Sequence, residues 1–216
     1  MGTEPSRDSR RSAKWEARRE AIVDTSARVF ARQGYHATGI MELCAANDLG
    51  KGALYHYIGS KEELLAAIHD RVMDEVMAGA DRVAVAGGTP SRQLTMLGSE
   101  LLSVIHRYPD HVWVFLHEFP ALTGMRAEQF RARRHEYESR VERVLREGVE
   151  TGEFRALDPW LTARAWLGMH NYTYLWLKPG GRVEARSVAE PFAAIFMRGI
   201  ATAPCGSPSP DAHGAE

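Results

Sequence analysis

Apolar residues recur along the chain at intervals of three and four, and no segment shows the period-two alternation of a half-buried strand. The pattern predicts an all-α fold of about nine helices. Over residues 14–33, Ile22, Val23, Ser26, Ala27 and Phe30 form one stripe, with Gly34 as a left-handed stop. Thr38 is the expected N-cap of a short second helix with Ile40, Leu43 and Cys44 inward; Asn47 and Asp48 break it, and a third short helix covers residues 51–57. Ser60 and Glu63 have capping-box spacing just before Leu64 and Leu65, so a fourth helix is expected from Lys61, its stripe continuing through Ile68, Val72 and Val76 and fading at Gly87-Gly88. Thr89-Pro90 and Asp158-Pro159 are caps followed by an N1 proline. The first opens a helix that runs to Pro109, with Leu94, Leu97, Leu101 and Ile105 inward, and the second a helix reaching about residue 178. Between them lie a short apolar helix over 110–119 and a long charged one over 125–151; a last helix spans 184–201. A basic arm over 1–14 and the Pro/Ser/Gly-rich tail over 202–216 read as disordered.

Composition narrows the setting. A chain of 216 residues can bury one good core or two small ones, and its two cysteines, Cys44 and Cys205, cannot build a disulfide framework. The polar N-terminus has no apolar leader behind it, and no stretch approaches the roughly 18 uncharged residues of a spanning helix. A cytoplasmic protein without a membrane partner is expected. The net charge of −1 argues against nucleic acid on average, yet residues 1–60 carry nine cations against seven anions, and the rest 18 against 21. That division permits a polyanion-binding module at the N-terminal end.

Short helix, tight polar turn and short helix over residues 39–57 have the form of a helix-turn-helix, whose second helix enters the major groove. Lys51, Tyr55, His56 and Tyr57 place a cation, two phenols and an imidazole on two turns, and Gly52 and Ala53 are small enough for close approach to a duplex. A plain helical hairpin is the alternative. The residues Phe30-Ala31-Arg32-Gln33-Gly34-Tyr35-His36-Ala37-Thr38, then Gly50-Lys51-Gly52-Ala53-Leu54-Tyr55-His56-Tyr57 and Ser60-Lys61-Glu62-Glu63-Leu64, resemble the N-terminal domain of the TetR family of transcriptional regulators. The resemblance runs from about Ala21 to Ile68. It implies a homodimeric repressor with a DNA-binding domain over 15–60 and a ligand-binding and dimerisation domain over 61–201. Its partners would be a palindromic double-stranded operator, met by two recognition helices about 34 Å apart, and a small-molecule inducer. It also implies phosphate contacts near Thr38, Gly39 and Lys61, with 51–57 as the recognition helix. Three positions depart from the family pattern: Gly39 where Ser or Thr is common, Asp48 for the turn glycine, and Gly50 for a Ser-type cap.

Beyond residue 75, two features suggest a sensor. His111, Trp113, Phe115 and His117, together with Trp166, His170, Asn171 and Tyr174, supply the large rings and few polar tips of a mainly apolar ligand pocket; ordinary core packing is the alternative. The segment Leu167-Gly168-Met169-His170-Asn171-Tyr172 through Trp176 to Gly181 is similar to a branch of the family regulating fatty-acid and sterol catabolism, whose inducers are often acyl-CoA thioesters. Arg131, Arg133, Arg134 and Arg164 could supply cations for such a ligand, or form a solvated face paired with Glu128, Glu136 and Glu138. Leu161, Ala165, Gly168 and Met169, with Val188, Phe192, Ile195, Phe196 and Gly199, form two stripes suited to a four-helix dimer interface or to packing within one chain, and the family resemblance implies a homodimer through these last two helices.

The runner-up is a helical-bundle metal sensor or enzyme without DNA binding. No Glu-x-x-His repeat, His-Glu-x-x-His, nucleophile elbow, Walker or dinucleotide fingerprint occurs, and His106, His111 and His117 lack ligand-like spacing. No catalytic residue, metal or cofactor is therefore expected.

Overall fold

The computed structural model describes residues 7–202, and the expected disordered residues 1–6 and 203–216 lie outside them. Among the described residues the chain forms α1 (Arg7–Gln33), α2 (Ile40–Asn47), α3 (Lys51–Ile58), α4 (Lys61–Ala86), α5 (Pro90–Arg107), α6 (Pro109–His117), α7 (Gly124–Glu150), α8 (Pro159–Asn171) and α9 (Ala185–Ile200). Short 3-10 turns follow α6 and α8. None of these helices is long and apolar enough to cross a membrane.

Among the described residues, two main cores and a small cluster of Leu102, Leu177 and Val188 share the molecule. Ile22 and Phe30 of α1, Leu43 of α2, Leu54 of α3 and Leu65 and Ile68 of α4 close the smaller main core. The larger is built from Val76, Leu94, Leu101, Ile105, Val141 and Trp166, among others. Helix α4 belongs to both, its first two turns in the small core and the rest in the large one. So does α6, which gives Val114 to one and Val112 to the other. A displacement of either helix in one core is therefore felt in the other.

The caps explain most boundaries. Ser60 Oγ accepts from the Glu63 amide at 3.0 Å, Thr89 caps α5 ahead of Pro90, and Asp158 accepts from the amides of Trp160 and Leu161. Only half of the expected capping box at Ser60 forms, because the Glu63 carboxylate turns away to Arg126 of α7. Three other expectations need correction. The arm over 1–14 is not free throughout: residues 7–14 contain no glycine or proline and form the first turns of α1, where Ser12 bonds Glu16 one turn on at 3.4 Å. The N-cap of α2 is Gly39, not Thr38. Helix α8 stops at Asn171, well short of residue 178, where the Thr173 hydroxyl takes the His170 carbonyl at 2.7 Å and the chain tightens into a 3-10 turn.

Two glycines set close helix contacts. A Cβ on Gly98 of α5 would stand 2.7 Å from His170 Nε2 of α8, and one on Gly148 of α7 would overlap the Phe154 ring. Phe154 also forms an isolated antiparallel bridge with Ala201, tying the end of α9 to the α7–α8 connection.

Candidate DNA-binding surface and sensor cavity

Helices α2 and α3 are joined by Asp48, Leu49 and Gly50, with Asp48 in the left-handed region at φ 52°. An aspartate tolerates that conformation better than most side chains, so the missing turn glycine is replaced without loss of the motif. The buried Asn47 side chain donates to the Leu43 carbonyl at 2.8 Å, and Arg18 of α1 donates to the Asn47 carbonyl at 2.9 Å, so α1 holds the end of α2. Leu54 and Ile58, four residues apart, anchor α3 inward. The opposite side presents Lys51, Gly52, Ala53 and His56 to solvent, with Tyr55 and Tyr57 half-buried.

The recognition-helix candidates therefore share one surface, although two of them are constrained by α1. Trp15 stacks on Tyr57 with ring centroids 5.7 Å apart and meets His56 edge-on. Sequence reading missed Trp15 because it sits among charged residues, outside the apolar stripe. A Cβ at Gly52 or Gly50 would meet nothing within 4 Å, so the protein's own packing does not require glycine at either position.

The two phosphate candidates before α2 differ. Thr38 is buried, its hydroxyl donating to the Gly34 carbonyl at 2.8 Å and accepting from Gln33, and it is removed from the candidate surface. Gly39 is exposed, but its N–H donates to Glu42 at 2.7 Å. That hydrogen bond, then one from Gln33, holds the Glu42 carboxyl below its usual range. Lys61 lies at the start of α4 with its ammonium 4.3 Å from the Tyr35 ring centroid. Burial lowers its pKa, opposed by Glu118 and Glu42.

A cavity of about 570 Å³ opens between α4, α5, α6, α7 and α8. Its floor is apolar, made by Val72, Met73 and Val76 of α4 with Leu101 and Ile105 of α5. Its polar lining includes Arg131, Arg134, His135 and Glu138 of α7 and Arg164 and Asn171 of α8. Of the eight ring-bearing and polar candidates named from sequence, Phe115 and Asn171 line this cavity, as do Arg131, Arg134 and Arg164 of the four candidate arginines.

The other six lie elsewhere. Trp166 and His170 are core residues packed on each other at 4.2 Å between centroids, and the His170 Nδ1–H donates to the Trp166 carbonyl. Trp113 stacks on His117, whose Nε2 lies 3.2 Å from the Tyr174 hydroxyl, joining α6 to the turn after α8. His111 faces α1, with Nε2 3.1 Å from Asp24 Oδ1. Burial pulls the His111 pKa down, against the opposing pull of Asp24. Aromatic content marked these residues, but rings fill cores as readily as they line cavities. Val72, Val76, Leu101 and Ile105 were read only as core because a cavity floor and a packed face have the same periodicity.

The charged residues of α7 divide similarly. Arg133 bonds Asp74 at 2.6 Å and Asp70 at 3.2 Å, so it ties α7 to α4 and does not serve the cavity. Arg140 pairs with Asp81 and Glu136.

The apolar stripe of α9 also splits. Val188 and Phe192 pack with Leu102 of α5, and Phe196 joins the large core, which corrects their assignment to a dimer face. Leu161 and Ile195 remain exposed, at 60% and 64%, and Ala165, Gly168 and Gly199 are exposed with them.

An exposed second helix of a helix-turn-helix, carried by a long helix into a separate all-helical domain, defines a helix-turn-helix DNA-binding protein. The chain belongs to the TetR family of bacterial transcriptional regulators: residues 22–68 match "Bacterial regulatory proteins, tetR family" and residues 87–200 match "Tetracyclin repressor-like, C-terminal domain". It is a regulator and not an enzyme. Among its relatives, the HTH-type transcriptional repressor KstR2 of Rhodococcus jostii is 28% identical over 193 residues, covering 86% of this chain and 92% of that one. The structure of the ketosteroid transcriptional regulator KstR2 of Mycobacterium tuberculosis superposes with a TM-score of 0.81 at 26% identity, covering 86% of this chain and 96% of that one. AibR in complex with isovaleryl coenzyme A and operator DNA superposes with a TM-score of 0.74 at 31% identity, covering 82% and 97%.

Proposed function

We propose that the protein is a homodimeric repressor released from a palindromic operator when an acyl-CoA-type thioester enters the cavity between α4 and α8. The observation that carries this reading is the cavity itself, apolar at its floor and lined by three arginines at α7 and α8. A volume of about 570 Å³ lies within the 300–1,000 Å³ range of small-molecule pockets and suits an acyl chain or small ring system. The anionic remainder of a CoA thioester would then run outward over Arg131, Arg134 and Arg164, which bind phosphate oxygens in paired geometry. The isovaleryl coenzyme A named for AibR supports the thioester class, and the ketosteroid role named for KstR2 suits a ring system at the apolar floor.

Lys51 and His56 offer charge and hydrogen bonds to DNA from α3, and the open space at Gly52 leaves room for a duplex. The exposed strip of Leu161, Ala165 and Gly168 on α8 with Ile195 and Gly199 on α9 suits a two-fold four-helix contact, because both glycines have open space where another helix can approach. Ligand acts by its differential affinity for two arrangements of α4. Val72, Met73 and Val76 meet the cavity on the same helix that begins at Lys61 beside the DNA-facing helices.

Fluorescence anisotropy with labelled DNA from upstream of its own gene tests the proposal. Binding is expected to weaken steeply with salt, to be abolished by Lys51→Ala with Tyr55→Ala, and to weaken at least about tenfold with one member of a CoA-thioester series. Flat salt dependence, or full binding by the double variant, overturns the DNA reading. Failure of every thioester overturns the ligand class.

A further inference from the structure

Glu138 stands where an anionic ligand would have to go. Its side chain is 18% exposed and both carboxylate oxygens face arginines: Oε1 accepts from Arg134 Nε at 3.0 Å, and Oε2 lies 3.6 Å from an Arg164 nitrogen. All three residues line the cavity. Arg164 is further held by Glu142 at 3.2 Å and by the Trp160 ring, 3.7 Å from the guanidinium carbon. Arg131 also lines the cavity, and among the described residues no carboxylate forms an ion pair with it. The pairs that tie α7 to α4, Arg126 with Glu63, Arg133 with Asp70 and Asp74 and Arg140 with Asp81, lie outside this lining. The Glu138 pairs therefore combine two roles: the one to Arg164 joins α7 to α8 beside the cavity, and the two together occupy two of its cations.

We infer that Glu138 is a built-in competitor for the anionic group of the ligand. Its carboxylate occupies Arg134 and Arg164 in the empty protein, and a phosphate or carboxylate of the ligand takes its place on at least one of them. A carboxylate between two guanidiniums is negatively charged and accepts their N–H groups through paired oxygens, as a ligand carboxylate or phosphate does. The exchange sets the selectivity of the cavity. An uncharged molecule of the same shape fills the apolar floor and leaves the Glu138 pairs intact, whereas an anionic one replaces them and leaves Glu142 as the carboxylate of α7 still on Arg164. Glu138 thus lowers affinity for every anion while restricting the response to those that bring enough apolar contact to complete the displacement. This inference rests on the proposed ligand class, and its test uses anions that do not depend on the acyl group.

Isothermal titration compares the wild-type protein with Glu138→Gln, which keeps the side-chain shape and removes the charge. The probes are inorganic pyrophosphate, CoA without an acyl group, octanoyl-CoA, and octan-1-ol as an uncharged chain. Glu138→Gln is expected to bind pyrophosphate and CoA at least about fivefold more tightly and octan-1-ol with unchanged affinity, whereas Arg164→Ala weakens the anions. Glu138→Asp, with a carboxylate drawn back by one methylene, moves in the same direction by less and serves if the glutamine variant does not fold. Equal or weaker anion binding by Glu138→Gln, or pyrophosphate binding by neither protein, overturns the inference. If no thioester releases the operator but Glu138→Gln still tightens pyrophosphate, the acyl-CoA reading falls and the competitor role stands.

Discussion

Gly52 is the second residue of α3, exposed, with open space where a side chain would be. Glycine inside a helix destabilises it by roughly 0.5–1 kcal/mol relative to alanine, and nothing within the protein requires it at this position. Because Gly52 sits in the first turn, Gly52→Ala is expected to raise the unfolding free energy by no more than about 0.5 kcal/mol while weakening operator binding, as read by thermal melts and anisotropy side by side. Unchanged operator affinity would show that the duplex does not approach there. Two buried histidines make a different prediction. His69 and His170 donate through Nδ1 to backbone carbonyls, and the unpartnered Nε2 of His69 lies among Phe115 and Phe130. Burial pulls both pKa values from 6.5 down to about 4, against the smaller opposing effect of those hydrogen bonds. Above pH 6.5 the folded and unfolded chains are alike neutral at these sites. Between 6.5 and about 4 the unfolded chain takes up protons that the folded one does not, so stability falls with pH, and below about 4 the loss is complete. The loss is on the order of 1–3 kcal/mol per histidine, and His69→Phe is expected to flatten the decline of melting temperature between pH 6.5 and 4.5.

Helix α6 meets three parts of the molecule within nine residues. Phe115 and Leu116 line the cavity, His111 reaches Asp24 of α1, and the residue just past its end, Glu118, accepts from the Tyr35 amide at 3.0 Å. Glu118→Ala is expected to speed hydrogen exchange at the Tyr35 amide by at least about tenfold without global unfolding; unchanged protection would show that this hydrogen bond does not hold the corner between α1 and α2. None of these ties is local in sequence, which explains what could be read beforehand. Ser60, Thr89-Pro90 and Asp158-Pro159 announced their helices because a cap acts on amides two or three residues away. Thr38 misled for the same local reason: its hydroxyl suited a cap, but folding supplied the Gly34 carbonyl and Gln33 as nearer partners. In the larger domain, Arg134 and Asn171 line the cavity, whereas His111 and His170 have equally polar tips that the tertiary fold turned to Asp24 and to a backbone carbonyl.

At the scale of the whole molecule, the DNA-facing helices and the exposed α8–α9 strip belong to different cores joined by α4 and α6. Ile195→Arg is expected to leave the monomer folded, because that side chain is 64% exposed, while sedimentation reports a shift from dimer to monomer and operator affinity falls with the loss of one half-site. A variant that remains dimeric would move the contact away from this strip. A net charge of −1 averages the two working parts, so it was a poor guide to DNA binding. The open shoulder of α3 also has a consequence for descent. A mutation that adds a side chain at Gly52 meets no neighbour in the fold, so lineages can alter which operator is read without first acquiring a compensating change in the core. On the proposed reading, the genes under control can then diverge faster than the ligand class, because the cavity floor is made from residues of the larger core and tolerates far fewer single steps.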